Sequence, residues 1–355
     1  METTISQKVF LDNASTTPID ERVFNEMIPY FKEMFGNASS NHEFGLIARK
    51  AIEKARFQVS NLINSKPREI IFTSGSTESI NLALKGYVES NLYKGNHIIT
   101  LKTEHKAVLN TCIYLESKGV EVTYLDVDEN GLILEEELIN ALKEETILVS
   151  IMYVNNETGV IQDIKKISKI LKDYNAVLFS DATQAVGKID LDFFDMDVDM
   201  LCFSGHKING PKGVGVLVKK DEIKLTPLIH GGDQERGLRS GTYNTPLIVG
   251  LGKACEIILN EFDEIQEKLN NQRGQIIKHY ESKNIGVVNF KSIKTSPHII
   301  SITLKNIEAE DYLLQNKNEF FASTGSACNS EIIEFSHVLK AINIRDINKI
   351  IRLSF

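Results

Sequence analysis

Short apolar runs alternate with amphipathic stretches along the first two thirds of the chain. The runs predict buried strands at residues 69–72, 97–101, 120–125, 147–154, 176–179, 200–203 and 214–218. Between several of them, apolar residues recur at helical spacing, as at Ala48, Ile52, Ala55 and Val59. This alternation predicts an α/β fold whose mainly parallel sheet is covered by helices on both faces.

The pattern changes in the last third of the chain. A long helix is predicted over 246–282, which holds an extended run without Gly or Pro. Later elements are predicted as strands at 286–290, 298–304 and 320–322, a helix over 330–342 and a last strand at 350–355. We therefore predict a large domain over 15–255, and a smaller α+β domain formed by 1–14 together with 256–355.

The composition is that of an ordinary globular protein, with 42% hydrophobic and 25% charged residues. A length of 355 residues suits two domains. The 40 basic and 48 acidic side chains leave a net charge of −8, which argues against direct binding of nucleic acid. The chain starts without an apolar signal segment, and its apolar runs fall short of the roughly 20 residues of a membrane helix. We expect a soluble cytoplasmic protein without membrane contact.

The four cysteines are Cys112, Cys202, Cys255 and Cys328. Their spacing does not fit a zinc or redox motif, so no metal site is predicted, and scattered thiols suit a reducing compartment. Cys328 differs in its setting, because small and flexible residues surround it over 323–330. A thiol there could be exposed and reactive, or it could be a buried and inert side chain.

Polar residues follow several predicted strands at their carboxyl ends, where open α/β sheets bind ligands. Lys207 comes directly after the strand at 200–203. An enclosed lysine can form a Schiff base, although an isolated one is more often a surface residue. Asp181 ends the strand at 176–179, where it could pair with a cationic ring nitrogen or cap the next helix.

Three further segments offer complementary groups. The backbone N–H groups and hydroxyls around Ser76 and Thr77 could bind an anion, or form a plain capping box. His105 could stack on an aromatic ring and move protons, or cap a helix. Asn156 offers an amide after the strand at 147–154, or belongs to a simple turn.

These groups converge, because the carboxyl ends of parallel strands lie at one edge of a sheet. An anion site, a ring stacker, a ring-nitrogen partner and a Schiff-base lysine are together what pyridoxal phosphate (PLP) requires. A single shared site explains them better than several unrelated turns. The sequence therefore predicts a PLP site at this edge.

Taken in order, the motifs of the chain match one family. They are LDNASTTP at 11–18, GNASSNH at 36–42, TSGSTESIN at 73–81, TEH at 103–105, NNETG at 155–159, DATQ at 181–184, SGHK at 204–207, HGG at 230–232, RSGT at 239–242, GSAC at 325–328 and RLSF at 352–355. In these motifs the chain resembles the PLP-dependent cysteine desulfurases of the iron–sulfur-cluster type, within the class V aminotransferase-like group. The GSAC segment is similar to that of the long-loop branch. The resemblance implies a homodimer of PLP-dependent transferase fold type I, with a mobile cysteine loop at about 321–335.

The resemblance also implies a role for each matching residue. Lys207 would form the Schiff base with the cofactor, Asp181 would pair with its ring nitrogen, and Cys328 would receive sulfur. The other cofactor contacts would come from Ser76, Thr77, His105, Asn156, Gln184, Ser204, His206 and, from the partner subunit, Thr242. The residues that would orient the substrate are Asn13, Asn156 and Arg352.

The implied reaction takes sulfur from L-cysteine, releases L-alanine, and leaves a persulfide on Cys328. A protein acceptor in iron–sulfur cluster assembly, or in tRNA or DNA thiolation, would then receive the sulfur. Two alternatives stay open. One is a selenocysteine lyase or another class V enzyme that does not use Cys328, and the other is a non-catalytic partner that has kept the fold.

The chain departs from the family pattern at a few positions, namely Ser15, Ala38, Asp233, Gln234 and Asn329. None of these departures removes a group that the reaction needs. The chain also ends at Phe355, where relatives continue with a helix and a tail that help to dock a cluster scaffold. We therefore expect a shortened C-terminus without that docking segment.

Overall fold

The computed structural model describes residues 8–324 and 335–355, together with the backbone of 326–329 and 332–334. Its strands are β1 (Val9–Phe10), β2 (Ile70–Thr73), β3 (His97–Leu101), β4 (Glu121–Leu125), β5 (Thr146–Ser150), β6 (Val177–Asp181), β7 (Met200–Ser204), β8 (Gly215–Lys219), β9 (Gly286–Val288), β10 (Ile299–Leu304), β11 (Phe320–Phe321), β12 (Ser323–Thr324), β13 (Ser326–Asn329), β14 (Ile332–Phe335) and β15 (Ile350–Ser354).

Helices separate most of these strands. They are α1 (Glu21–Met27), α2 (Pro29–Lys32), α3 (Glu43–Leu62), α4 (Ser76–Asn81), α5 (Tyr87–Asn91), α6 (Lys106–Glu116), α7 (Glu135–Ala141), α8 (Ile164–Leu171), α9 (Phe193–Met196), α10 (Thr245–Ser282), α11 (Ala309–Gln315) and α12 (His337–Ala341). A π-helical turn over Leu82–Gly86 joins α4 to α5.

The larger sheet has seven strands in the order β2-β8-β7-β6-β5-β3-β4. Strand β8 is antiparallel to both of its neighbours, and the other pairs are parallel. The predicted α/β fold with a mainly parallel sheet is therefore confirmed. All strands except β8 point their carboxyl ends to the same edge, which brings the loops after β2, β3, β5, β6 and β7 together.

Apolar side chains cover both faces of this sheet. One face packs against α3, α8 and the first half of α10, and the other packs against α4, α5 and α6. Helices α3 and α10 approach closely at Gly252, where an added Cβ would lie 2.6 Å from the Cα of Ala55. The predicted amphipathic stripe on α3 is buried in this contact.

A second sheet of four antiparallel strands has the order β12-β15-β10-β9. Its own apolar core includes Ile302, Ile351 and Leu353 and packs against the second half of α10, at Leu269 and Tyr280. The predicted long helix is confirmed as α10, with non-helical backbone angles at Glu261. The domain limits near residues 15 and 255 stay a prediction.

The helix predicted over 330–342 is wrong in its first half. Strands β13 and β14 pair as an antiparallel hairpin, since β-branched and aromatic residues at 332–335 favour extended backbone. Helix α12 starts after Ser336, whose hydroxyl accepts a hydrogen bond from the backbone of Leu339 at 3.1 Å. Among the described helices, none combines the length and the apolar character needed to span a membrane.

Candidate active site

The edge formed by the strand ends encloses a cavity of about 590 Å³. It is lined by most of the residues that the sequence singled out, namely Ser76, Thr77, His105, Asn156, Asp181, Gln184, Ser204, His206 and Lys207. The loops after β2, β3, β5, β6 and β7 supply them, as the parallel sheet requires. Thr183 and Lys212 also line the cavity, although the sequence reasoning gave them no role.

Asp181 ends β6 and is 4% exposed. Its Oδ1 accepts hydrogen bonds from the Thr183 backbone at 2.9 Å and the Thr183 hydroxyl at 2.5 Å. The thiol of Cys202 on β7 lies 3.7 Å from the same oxygen. Among the described residues, none donates to Oδ2. One carboxylate oxygen is therefore held in place by the protein, and the other is available to a group in the cavity.

Lys207 follows β7 in a tight turn that begins at Gly205, where an added Cβ would lie 2.9 Å from the carbonyl oxygen of Pro211. The ammonium donates to the carbonyl oxygens of Ala14 and Ser15, both at 2.6 Å. Burial lowers the pKa of Lys207 to about 8, and the positive charge of Arg352 acts in the same direction. A lysine with a pKa of about 8 is neutral in about a tenth of the molecules at pH 7, far more than a lysine in water, and the neutral amine is the nucleophilic form.

His105 is the N-cap of α6, and its Nδ1 accepts a hydrogen bond from the backbone of Ala107 at 3.0 Å. The proton of the neutral ring is therefore on Nε2. Burial lowers the pKa of His105, and the positive charge of Lys207 adds to this effect. The capping interpretation of His105 is confirmed, because one ring nitrogen caps α6. The residue also lines the cavity, and its role in stacking and proton transfer stays a prediction.

Glu104 lies beside His105 and was missed by the sequence reasoning. Its side chain is fully buried; Oε1 accepts from the backbone of Met152 at 2.5 Å, and Oε2 has no partner among the described residues. Burial raises its pKa well above the usual value, and the charge of Asp181 raises it further. The environment of Glu104 therefore favours its neutral, protonated form.

The other end of the cavity is rich in hydroxyl groups. Gly75 adopts φ of 153°, a conformation that other residues rarely reach, and opens the turn that leads into α4. Ser76 Oγ lies 2.7 Å from the hydroxyl of Thr183, and Ser204 lies behind Gly75. Burial lowers the pKa of His206 to about 4, with the nearby lysines acting in the same direction. The neutral His206 ring joins this polar surface.

Arg352 on β15 lies outside the set of lining residues. It donates to the carboxylate of Asp12 at 2.7 Å, to Ser323 Oγ at 3.1 Å and to the carbonyl of Asn156 at 2.9 Å. Its buried Nε has no partner among the described residues. Arg352 is thus fixed beside the cavity with one donor to spare.

Asn13 and Thr242, which the sequence reasoning placed in the site, do not line this cavity. The backbone of Asn13 donates to the carbonyl of Ser354 at 3.0 Å. Thr242 is exposed and lines a separate cleft with Tyr30 and Phe35. The structure of one chain therefore does not bring these two residues to the other site residues.

A family model, aminotransferase class V, matches residues 9–355 of the chain. A cysteine desulfurase IscS from Clostridium botulinum strain Hall is 45% identical over 96% of this chain and 87% of its own length. The chain belongs to the cysteine desulfurases of the class V aminotransferase family. An IscS from Neisseria meningitidis serogroup C is also 45% identical, over 97% of this chain and 85% of the relative.

Solved structures of related proteins have the same fold. A NifS-like protein superimposes with a TM-score of 0.92 at 38% identity, covering 98% of this chain and 93% of the other. SspA in complex with cysteine gives 0.87 at 36% identity, with coverage of 98% and 99%. DndA from Streptomyces lividans gives 0.82 at 36% identity, with the same coverage. The fold of this desulfurase is therefore fold type I, and enzymes of the family depend on PLP.

The cysteines of this desulfurase differ in what the structure describes. Cys112, Cys202 and Cys255 are buried and unpaired, and burial raises the pKa of each thiol. Inert thiols have this environment. The backbone of Cys328 pairs with Ile333 across the hairpin, while its side chain lies outside the described residues. Its assignment as the sulfur-accepting residue stays a prediction.

Proposed function

We propose that this cysteine desulfurase uses PLP to take sulfur from free L-cysteine onto Cys328, with release of L-alanine. The observation that carries the proposal is that one cavity is lined by both Lys207, whose pKa is about 8, and Asp181, which has a spare carboxylate oxygen. A nucleophilic amine and a carboxylate for a ring nitrogen are the two groups that PLP chemistry requires from a protein.

The donor set also fits the rest of the cofactor. Hydroxyls of Ser76, Thr77 and Ser204 suit a phosphate, and the cation of Lys212 lines the same cavity. The N–H groups of the first turn of α4 lack partners within the helix. His105 would contact the ring, and the amide of Gln184 would donate to its phenolic oxygen. When bound, PLP withdraws electrons from the substrate carbons next to its amino group.

Residues of the chain would then orient the substrate, transfer a proton and accept the sulfur. Arg352 and Asn156 would orient the substrate, Arg352 through the carboxylate. His105 would move a proton at Nε2, since Nδ1 is committed to the α6 cap. The Cys328 thiolate would form a bond to the substrate sulfur as the carbon–sulfur bond breaks. The Cys328 sulfur is oxidised and the substrate carbon is reduced, so L-cysteine and a thiol become L-alanine and a persulfide.

We infer that the enzyme acts as a homodimer. Large apolar side chains are exposed on α1, α2 and the start of α3, namely Phe24, Ile28, Phe31, Phe35 and Phe44. The rings of Phe35 and Phe44 lie 5.5 Å apart, and large exposed apolar patches mark interaction surfaces in soluble proteins. Thr242 lines a cleft beside this group, with Phe35. A second copy on this face would explain why Thr242 lies away from the cavity of its own chain.

The sulfur of the Cys328 persulfide would pass to a protein acceptor. Relatives include IscS and DndA proteins, so iron–sulfur cluster assembly and thio-modification pathways are both proposed destinations. A lyase that acts on selenocysteine is the second candidate function, because the cavity residues would serve it equally well. The two differ in whether Cys328 is needed.

Single-turnover formation of alanine from L-cysteine tests the proposal. Wild type, Cys328→Ala and the buried control Cys255→Ala are loaded with PLP, and persulfide is trapped and located by peptide mass. We expect alanine and a persulfide on the Cys328 peptide in wild type and control, and neither product in Cys328→Ala. Equal turnover by all three proteins would assign the lyase reaction instead.

A further inference from the structure

A chain of hydrogen bonds connects the four-stranded sheet to the cavity, and the reaction outlined above leaves it without a role. Ser296 Oγ lies 2.7 Å from His298 Nδ1, and His298 Nε2 lies 3.1 Å from Gln184 Oε1. The amide nitrogen of Gln184 donates to the carbonyl of Ala14 at 2.8 Å. That carbonyl also accepts from Lys207. The start of β10 is thereby linked to the reactive lysine.

His298 is a neutral ring in this chain. Its side chain is buried, at 1% exposure, and burial holds its pKa well below the usual value. Burial is the main cause, and the largest charge effects come from the cations Lys188, Arg352 on β15, Arg273 on α10 and Lys207. Both effects disfavour a second proton on the ring.

A neutral imidazole has one donor and one acceptor nitrogen. The amide nitrogen of Gln184 donates to the carbonyl of Ala14, so its oxygen faces His298. The proton of the neutral ring is therefore on Nε2, and Nδ1 accepts from the hydroxyl of Ser296. The Ala14 carbonyl and the His298 donor together hold the amide of Gln184, with its oxygen toward His298 and its nitrogen toward the cavity side. Rotation of the amide would set two acceptors against each other at Ala14 and two donors against each other at His298.

We propose that His298 is a positioning residue of the active site, which holds the amide of Gln184 with its nitrogen directed to the cofactor. The inference rests on the proposed function, because it assigns a direction to the Gln184 donor that would contact the phenolic oxygen of PLP. Without the His298 donor, only the carbonyl of Ala14 would oppose rotation of the amide, and the fraction of molecules that present the amide oxygen to that negatively charged atom would rise. His298 itself does not line the cavity.

The pH dependence of the visible absorption of bound PLP tests the proposal. A donor at the phenolic oxygen stabilises its negative charge, which favours loss of the proton from the lysine-linked nitrogen beside it. The midpoint is the pH at which half of the lysine-linked nitrogen has lost its proton. In His298→Leu we expect this midpoint to move to higher pH by about half a unit or more, as loss of one neutral hydrogen bond would do. The affinity of the apoenzyme for PLP should also fall by about tenfold.

Two milder variants guard against a folding defect. His298→Gln places an amide donor where Nε2 lies, and should keep the midpoint close to that of wild type. Ser296→Ala keeps the ring but frees its tautomer, and should shift the midpoint in the same direction by less. The matched control is His97→Leu, since His97 is an equally buried ring that bonds Thr146 and Thr123 away from the cavity.

A double-mutant cycle with Gln184→Ala separates positioning from general stability. If His298 acts through Gln184, then Gln184→Ala with His298→Leu should show the same midpoint as Gln184→Ala alone. Additive shifts, or a His298→Leu midpoint equal to that of His97→Leu, would overturn the inference. Failure of wild type to bind PLP would instead overturn the proposed function, so the two failures are distinguishable.

Discussion

The seven-stranded and four-stranded sheets serve the cavity in different ways. The seven-stranded sheet presents groups at the ends of parallel strands, such as Asp181 on β6 and Lys207 after β7. The four-stranded sheet acts through strands that are distant in sequence. Its β15 aligns Arg352 opposite Ser301 of β10 and Ser323 of β12. In the proposed function, one sheet would supply the reactive atoms, and the other would supply groups that orient them.

This difference has a physical origin. A loop after a parallel strand needs only its own strand to place a side chain at the edge of the sheet. Arg352, in contrast, is held by the carboxylate of Asp12, by Ser323 and by a carbonyl of the loop after β5. Loss of a group at the first sheet should stop the chemistry, whereas loss at the second should change binding and orientation.

Replacement of Lys207 gives the largest expected effect. Lys207→Ala should lower kcat/KM for L-cysteine by about 10⁴-fold or more, as removal of a covalent catalytic group does. The control is Lys219→Met, which removes another buried lysine, at the far end of β8, and should keep most of the activity. Steady-state alanine release measures both. Comparable losses of kcat/KM in the two variants would show that the loss in Lys207→Ala comes from disturbed packing and not from a missing reactive amine.

Replacement of Arg352 should act mainly on substrate binding. Arg352→Ala removes the positive charge and the spare Nε donor that would meet the substrate carboxylate, so KM should rise by about 10- to 100-fold. Arg352→Lys should recover part of this, because it keeps the charge without the planar guanidinium. The control Arg273→Met alters an arginine that holds the carbonyl of Ile299 instead. A KM unchanged in Arg352→Ala would place the carboxylate elsewhere.

Glu104→Gln gives the smallest expected effect, although Glu104 is as buried as Asp181. The raised pKa of Glu104 means that the folded protein keeps a proton that the unfolded chain loses above about pH 4.5. The buried acid therefore destabilises the fold increasingly as pH rises toward its folded pKa, and glutamine has no such penalty. Glu104→Gln should lower the free energy of unfolding by no more than about 1 kcal/mol. The stability of the variant relative to wild type should be higher at pH 7 than at pH 5.

Thermal unfolding at the two pH values measures this prediction, and kcat at pH 7 should stay close to that of wild type. A large loss of activity in Glu104→Gln would mean that the residue is ionised and takes part in the reaction. The larger sheet would then contribute two reactive carboxylates at its edge, Glu104 as well as Asp181.

The sequence predicted the groups of the seven-stranded sheet because each is encoded locally. Apolar runs located the strands, and the polar residue after each run located Asp181, His105 and Lys207 at one edge. His298 does not follow this logic, because it precedes the apolar strand β10 instead of following one. Its partner Gln184 is more than a hundred positions away, and no local pattern encodes such a contact.

Two other features could not be read from the sequence. Glu104 lies in a polar TEH segment, and nothing there indicates complete burial. The hairpin of β13 and β14 replaced a predicted helix, because pairing with a second strand outweighs local spacing when β-branched residues are present. Both depend on tertiary contacts, which single-sequence periodicity does not contain.

The carbonyls of Ala14 and Ser15 that receive Lys207 depend on the last strand of the chain. The backbone of Ala14 donates to Ser354 Oγ at 2.9 Å. Asp12 forms an isolated parallel β-bridge with Ser354, and its carboxylate pairs with Arg352. During synthesis, this early segment must wait until the ribosome has released β15. A nascent chain that already holds all seven strands of the larger sheet would still lack β15, so the contacts that Ala14 and Asp12 make with that strand can form only after it has been made.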